Sequence, residues 1–221
     1  MSYDFLVFIH LLLFVFWLGG DVGVFVLGQQ SRKADTYSLQ ERLTLLKVLT
    51  MVDMAPRTCV ALMVPISVTL ANAGSWWAVP ISVLVGAWIV GAMLLWAGWT
   101  QHLRQGTAIA KTAKTLDFWL QASMIVAYGA VAVSSLLGLG PIAENWLATK
   151  TLLYAFIFAT SILIDISYRP LGPALQHLIN NEGDAEAEAA VLFIQNKTRK
   201  WVLAIYGLLF AIGFMGAVKP F

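Results

Sequence analysis

Apolar residues run along this chain in blocks separated by short polar stretches. The blocks reach about 20 residues, the length an α-helix needs to cross the hydrocarbon core of a bilayer. Six segments qualify: Phe5 to Gly28, Met54 to Ala73, Ala78 to Thr100, Phe118 to Leu139, Trp146 to Ser167, and Trp201 to Val218. The turn Asn72-Ala73-Gly74-Ser75 predicts a hairpin of the second and third. Gly138, Gly140 and Pro141 end the fourth, and Arg169-Pro170 ends the fifth, because proline cannot continue a helix and restrains the residue before it. Thr36 to Val52 places Leu39, Leu43, Leu46 and Leu49 on one face, the pattern of an amphipathic helix that lies on the membrane surface or extends the second span. Asp184 to Lys200 predicts another helix, with Asp184 as N-cap, acids in its first turn and bases in its last, which complements the helix dipole. The expected architecture is all-α: a polytopic transmembrane helical bundle of about six helices.

Six spans put both termini at one end and connections one, three and five at the other. Of the 14 Lys and Arg, 12 then belong to that other end, and only Lys150 and Lys219 lie with the termini. Basic residues collect on the cytoplasmic side of a membrane. Both termini are therefore expected in the periplasm, in a bacterial inner (cytoplasmic) membrane. Trp76, Trp77 and Trp146 fall at the terminal end and Trp99, Trp119 and Trp201 at the basic end, as an interfacial aromatic belt requires.

Composition agrees. Of 221 residues, 59% are hydrophobic and 12% charged, against about 25% charged in ordinary soluble domains. The mean hydropathy is +0.77. No polar stretch is long enough for a separate soluble domain, so residues 1–221 read as one membrane domain. The net charge of +2 is scattered and does not point to nucleic acid. Cys59 is the single cysteine, so neither an internal disulfide nor a thiolate cluster can form. Asp4 stands where a signal peptide carries positive charge, so the first helix is expected to be retained.

An ionisable group in hydrocarbon costs several kcal/mol unless paired or hydrated. Those expected deepest are therefore the candidates: His10, Asp21, Arg57, Lys150 and Asp165. His10 is read either as a ligand for haem iron or a transition metal, or as an imidazole bonded to a neighbouring helix. Asp21, framed by Gly19, Gly20 and Gly23, is expected to pair with Arg57; Asp53 and Arg57, and Asp165 and Arg169, share the i,i+4 spacing of helical ion pairs. The spacing Gly19-x-x-x-Gly23 is compatible with close helix packing. Lys150 either meets a cofactor carboxylate or snorkels to the interface. Met215 shares the terminal end with His10 and is the candidate second axial ligand. His102 and His177 stand alone, and no H-x-x-H, C-x-x-C, C-x-x-C-H or Walker loop occurs.

The opening His10-Leu11-Leu12-Leu13-Phe14-Val15-Phe16-Trp17-Leu18-Gly19-Gly20 resembles the first helix of a bacterial membrane superfamily that includes copper-resistance D proteins and HemJ-type protoporphyrinogen oxidases. Trp146-Leu147-Ala148-Thr149-Lys150-Thr151-Leu152-Leu153 is similar to a later helix of the HemJ type, and Arg57 leads an apolar helix as in that type. The resemblance covers about half the chain. It implies haem binding through His10, with Arg57 and Lys150 functionally important. Gly20-Asp21-Val22-Gly23 replaces an aliphatic stretch of the oxidases, and the helices are more numerous than theirs. The implied function is therefore a haem-binding relative with another redox partner rather than protoporphyrinogen oxidation itself.

Three functions follow as expectations. The first is a b-type haem-binding redox protein, a membrane oxidoreductase passing electrons to quinone or to another membrane redox protein, with His10 and Met215 at the iron and Arg57, Lys150 and Asp21 around the cofactor. The second is an accessory or assembly subunit, or a homo-oligomer, whose buried polar groups serve helix contacts. The third is a copper or small-solute transporter, with Asp21, Arg57 and Asp165 along a polar path.

Overall fold

A computed structural model of the chain describes residues 2–221. Among the described residues there are eight helices and no strand: α1 (Tyr3–Gln30), α2 (Leu39–Val52), α3 (Met54–Ala73), α4 (Ile81–Leu103), α5 (Ala108–Leu136), α6 (Asn145–Tyr168), α7 (Leu171–Asn180) and α8 (Ala185–Val218). Six helical stretches are long and apolar enough to cross a membrane, counting α2 with α3 and α6 with α7. Large apolar side chains face outward along them, among them Phe8 and Phe16 on α1, Trp88 and Ile89 on α4, and Phe210 on α8. In water such a surface would drive association; against lipid tails it is at home. The chain is a multi-pass membrane protein by length, composition and this exposed apolar face.

Packing follows a ring. α1 lies on α3, α3 on α4, α4 on α5, α5 on α6 and α6 on α8, and a lighter contact of α8 with α1 closes it. The Leu39–Ala73 stretch is the most buried of the six, while α1 and α8 leave most of their apolar residues facing outward. Two glycines set its neighbours' approach. A Cβ on Gly20 would stand 2.7 Å from the Pro56 ring, and one on Gly91 would stand 2.8 Å from the Pro65 ring. Gly23 sits more loosely against Val52, and Gly19 faces open space. The close approach thus runs through Gly20 rather than through a Gly19/Gly23 pair. The middle of the bundle is filled by Trp17, Val64, Leu94, Tyr154, Phe158 and Leu209.

Helix boundaries depart from the hydropathy reading where a cap outweighs apolar length. α4 begins at Ile81, after Pro80, so the hairpin connection is longer than the Asn72–Ser75 turn. α5 begins at Ala108, where the Thr107 side chain accepts from the Ala110 N–H, and so includes ten residues ahead of Phe118. Asp184 caps α8 by accepting from the Glu186 N–H. No break follows at Trp201, and the expected surface helix and last span are one helix of 34 residues.

That helix is about 50 Å long at 1.5 Å per residue, well beyond a core of about 30 Å. Its first turns project past the bundle and pack on α7 through Leu171, Leu178, Ala187 and Val191. α2 joins them. Ser38 caps it in a reciprocal box with Glu41. Arg42, 4% exposed, donates to both Glu188 oxygens and, through Nε, to the Ser31 carbonyl at 2.9 Å.

Candidate functional site

The C-terminal halves of α1, α4 and α6 and the N-terminal halves of α3, α5 and α8 meet at the basic end of the bundle, as alternating spans require. Between them lies a cavity of about 250 Å³. Its apolar lining includes Val24, Leu95 and Ile164, ordinary for helices packed in lipid. Its polar lining is not ordinary: Asp21 on α1, Asp53 and Arg57 at the α2–α3 junction, Asp117 and Gln121 on α5, Asp165 on α6, and Gln195 and Arg199 on α8.

Local structure places each group. Asp53 ends α2 and begins α3, so its side chain runs alongside that of Arg57 one turn on, and Arg57 Nε donates to Asp53 Oδ2 at 2.5 Å. Arg57 Nη2 lies 3.7 Å from Asp165 Oδ1 on α6. The expected helical pair Asp53–Arg57 is present, while Asp165 turns to Arg57 across the bundle. Asp21 shares the chamber with Arg57 but is not among its ion-pair partners; the Trp17 indole lies beside it. Tyr206 on α8 donates to the Asp21 main-chain carbonyl at 2.5 Å, which ties α8 to α1 at this level.

α5 supplies the residues that hydropathy reasoning missed. Asp117 is 8% exposed and Gln121 is 6% exposed. Gln121 Nε2 donates to Asp117 Oδ2 at 2.9 Å, and Gln121 Oε1 is buried with no partner. Gln195, 8% exposed, also leaves a buried Oε1 without a partner. Toward the terminal end the cavity stops against Trp17, Ile157 and Phe158 of the central core.

The remaining candidates gather on the far side of that core. His10 is half-buried on α1, its Nδ1 enclosed and without a partner, and Lys150 on α6 lies within its electrostatic reach. Lys150 Nζ points at α8, 2.7 Å from where a Cβ on Gly216 would stand. Close by in sequence, Lys219 Nζ rests over the Trp76 ring at 4.8 Å and the Trp146 ring at 5.0 Å. Met215 is half-buried one residue before Gly216. The residues singled out by sequence therefore fall into two groups, His10, Lys150 and Met215 at the terminal end, and Asp21, Arg57 and Asp165 in the chamber. Among the described residues no three of His, Cys, Asp and Glu come together as a metal-holding group.

Comparison with protein-family models, with curated proteins and with solved structures finds no match.

Proposed function

We propose that this protein binds a small polar solute in the chamber at the basic end and passes it across the membrane. One observation carries the reading: four aspartates, three arginines and three glutamines line a single cavity inside an apolar bundle. Charged side chains at such depth are expensive, and they mark solute paths when they face a cavity rather than lipid. The Trp17–Phe158 floor separates the chamber from the terminal end, which supports the reading because alternating access needs a barrier on one side of the site. Asp21, Arg57 and Asp165, the residues proposed for a polar path, all line this one cavity, which supports the reading.

A steric block tests this without assuming the solute's chemistry. Gly98 lines the chamber, and a Cβ there meets nothing within 4 Å. Gly98→Phe therefore fills the cavity without straining the backbone. Vesicles carrying the full chain should swell faster than protein-free vesicles in at least one of a panel of iso-osmotic small polar solutes, and Gly98→Phe should abolish the difference. Equal swelling with and without protein across the panel would defeat the reading.

A second reading keeps the haem expectation, in a b-type protein of the bacterial inner membrane. It is favoured by the enclosed, unpartnered Nδ1 of His10 and by the cation of Lys150 beside it. An imidazole nitrogen without a hydrogen-bond partner and an ammonium in its electrostatic reach are group types that serve as an iron ligand and a propionate partner. Met215 shares their end of the bundle, and the 250 Å³ cavity does not include them. A haem held there would supply one-electron chemistry, its potential set by the axial ligands and the apolar surroundings. Protein purified after haem-replete expression should show a Soret band that His10→Ala removes. A colourless wild-type protein would discard this reading and leave the chamber untouched.

A further inference from the structure

Charge inside the chamber is unequally shared. Arg57 has two carboxylates within salt-bridge reach, Asp53 at 2.5 Å and Asp165 at 3.7 Å. Asp21 and Asp117 line the same space and form no ion pair among the described residues. The other lining cations, Arg32 and Arg199, stand toward the basic end. Arg32 lies about 16 Å beyond Asp21 along the direction of α1, and its guanidinium is bound by Gln29 and Asn196.

Gln121 says what kind of charge is wanted. One N–H of its amide donates to the Asp117 carboxylate, an acceptor when ionised, and this orients the amide. The carbonyl oxygen must then point the other way, and there it is buried without a donor. A buried acceptor left bare is costly. The Asp117 carboxylate and the Gln121 carbonyl, on adjacent turns of α5, both present acceptors. Trp99, Phe158 and Tyr168 add aromatic rings to the lining, and aromatic rings attract cations. The carboxylates do not converge as metal ligands do, so a cation that spreads its contacts through several N–H donors suits the chamber better than a bare ion.

We infer that the chamber's solute is a small primary-ammonium compound, its N–H donors taken by the Asp117 carboxylate and the Gln121 carbonyl, with Asp21, which forms no ion pair among the described residues, adding a second carboxylate. This rests on the chamber being a solute site, and it names the chemical class.

Trp17 and Trp99 line the cavity, so intrinsic fluorescence of the purified full chain reports occupancy. Ethylammonium, tetramethylammonium and sodium chlorides are titrated at constant ionic strength. Ethylammonium should give a saturable change. Tetramethylammonium, a cation with no N–H, should bind about tenfold more weakly or not at all, as loss of charge-assisted hydrogen bonds requires. Asp117→Asn and Gln121→Leu should each weaken ethylammonium binding by about threefold to tenfold. Absence of saturation by ethylammonium, equal saturation by tetramethylammonium or sodium, or unchanged affinity in both variants would overturn the inference. The wild-type selectivity decides it alone should a variant not fold. The two proposals fail separately: swelling by another solute class with no ammonium selectivity sinks only this one, and selective binding with no swelling sinks only transport.

Discussion

Arg57 is the hinge of the chamber's electrostatics. It faces Asp53 from its own helix and Asp165 from α6, and its side chain remains 42% accessible because it stands at the cavity. Removing it sets two carboxylates against each other with no counter-charge. Arg57→Met should lower stability by roughly 1–3 kcal/mol, the range for lost charge-assisted hydrogen bonds, and a second change, Asp165→Asn, should restore part of that. A thermal melt in detergent reads both, and an unshifted melting temperature for Arg57→Met would show that water already screens the cluster. Half of this was legible beforehand. Asp53 and Arg57 are one turn apart, and that spacing is local information. Asp165 reaches Arg57 only through the α3–α6 arrangement, which no local pattern carries. Asp117 and Gln121 share the same one-turn spacing, yet hydropathy starts a span at Phe118 and so leaves Asp117 outside the membrane. The Thr107 cap, not the apolar run, decides where that helix begins.

Between elements, the same distinction separates glycines that matter from glycines that do not. Gly20 and Gly91 let α1 and α4 close on proline rings of α3, and a proline ring is fixed to its own backbone and cannot swing aside. Gly20→Ala and Gly91→Ala should each cost about 1–3 kcal/mol, as overpacking does. Gly19→Ala meets nothing within 4 Å and should be neutral or stabilising, since alanine favours helix over glycine by about 1 kcal/mol. Melting temperatures of the three variants check the contrast, and equal effects at Gly19 and Gly20 would contradict the packing. A spacing such as Gly19-x-x-x-Gly23 marks a helix that can be approached closely. It does not say which side the partner takes, because that depends on where Pro56 falls on α3.

Outside the bundle, the Arg42–Glu188 pair joins α2 to the projecting end of α8, and Arg42 is nearly sealed from solvent. Glu188→Gln should leave a buried guanidinium short of charge and destabilise by about 3–5 kcal/mol, whereas the double change Arg42→Met with Glu188→Leu should recover most of it. Hydrogen exchange in residues 31–45 follows the effect, and no recovery in the double variant would mean that the Ser31 carbonyl, not Glu188, is what Arg42 holds. Both helices could be read from their caps and amphipathic pattern. Their union through a buried ion pair could not, since residues 42 and 188 are neighbours only in the folded chain.

Across the whole molecule, a count of charges and a cavity make one joint statement. Connections one, three and five carry nearly all the basic residues, and the chamber approaches that same end at Arg32, Gln195 and Arg199. If basic residues mark the cytoplasmic side, the chamber opens to the cytoplasm and its floor of Trp17, Ile157 and Phe158 shields it from the opposite face. Ser161 lines the chamber on α6, and Leu209 is fully buried in the core on α8. With Cys59 replaced by alanine, Ser161→Cys should react with a membrane-impermeant maleimide in inside-out vesicles and stay unlabelled in right-side-out ones, while Leu209→Cys should resist labelling in both. Labelling of Ser161→Cys from the right-side-out face alone would reverse the topology but keep the chamber. Failure to label it from either face would mean that the four aspartates enclose a dry space. In that case they would be partners in a structural charge network, and a solute path through them would have no water to begin from.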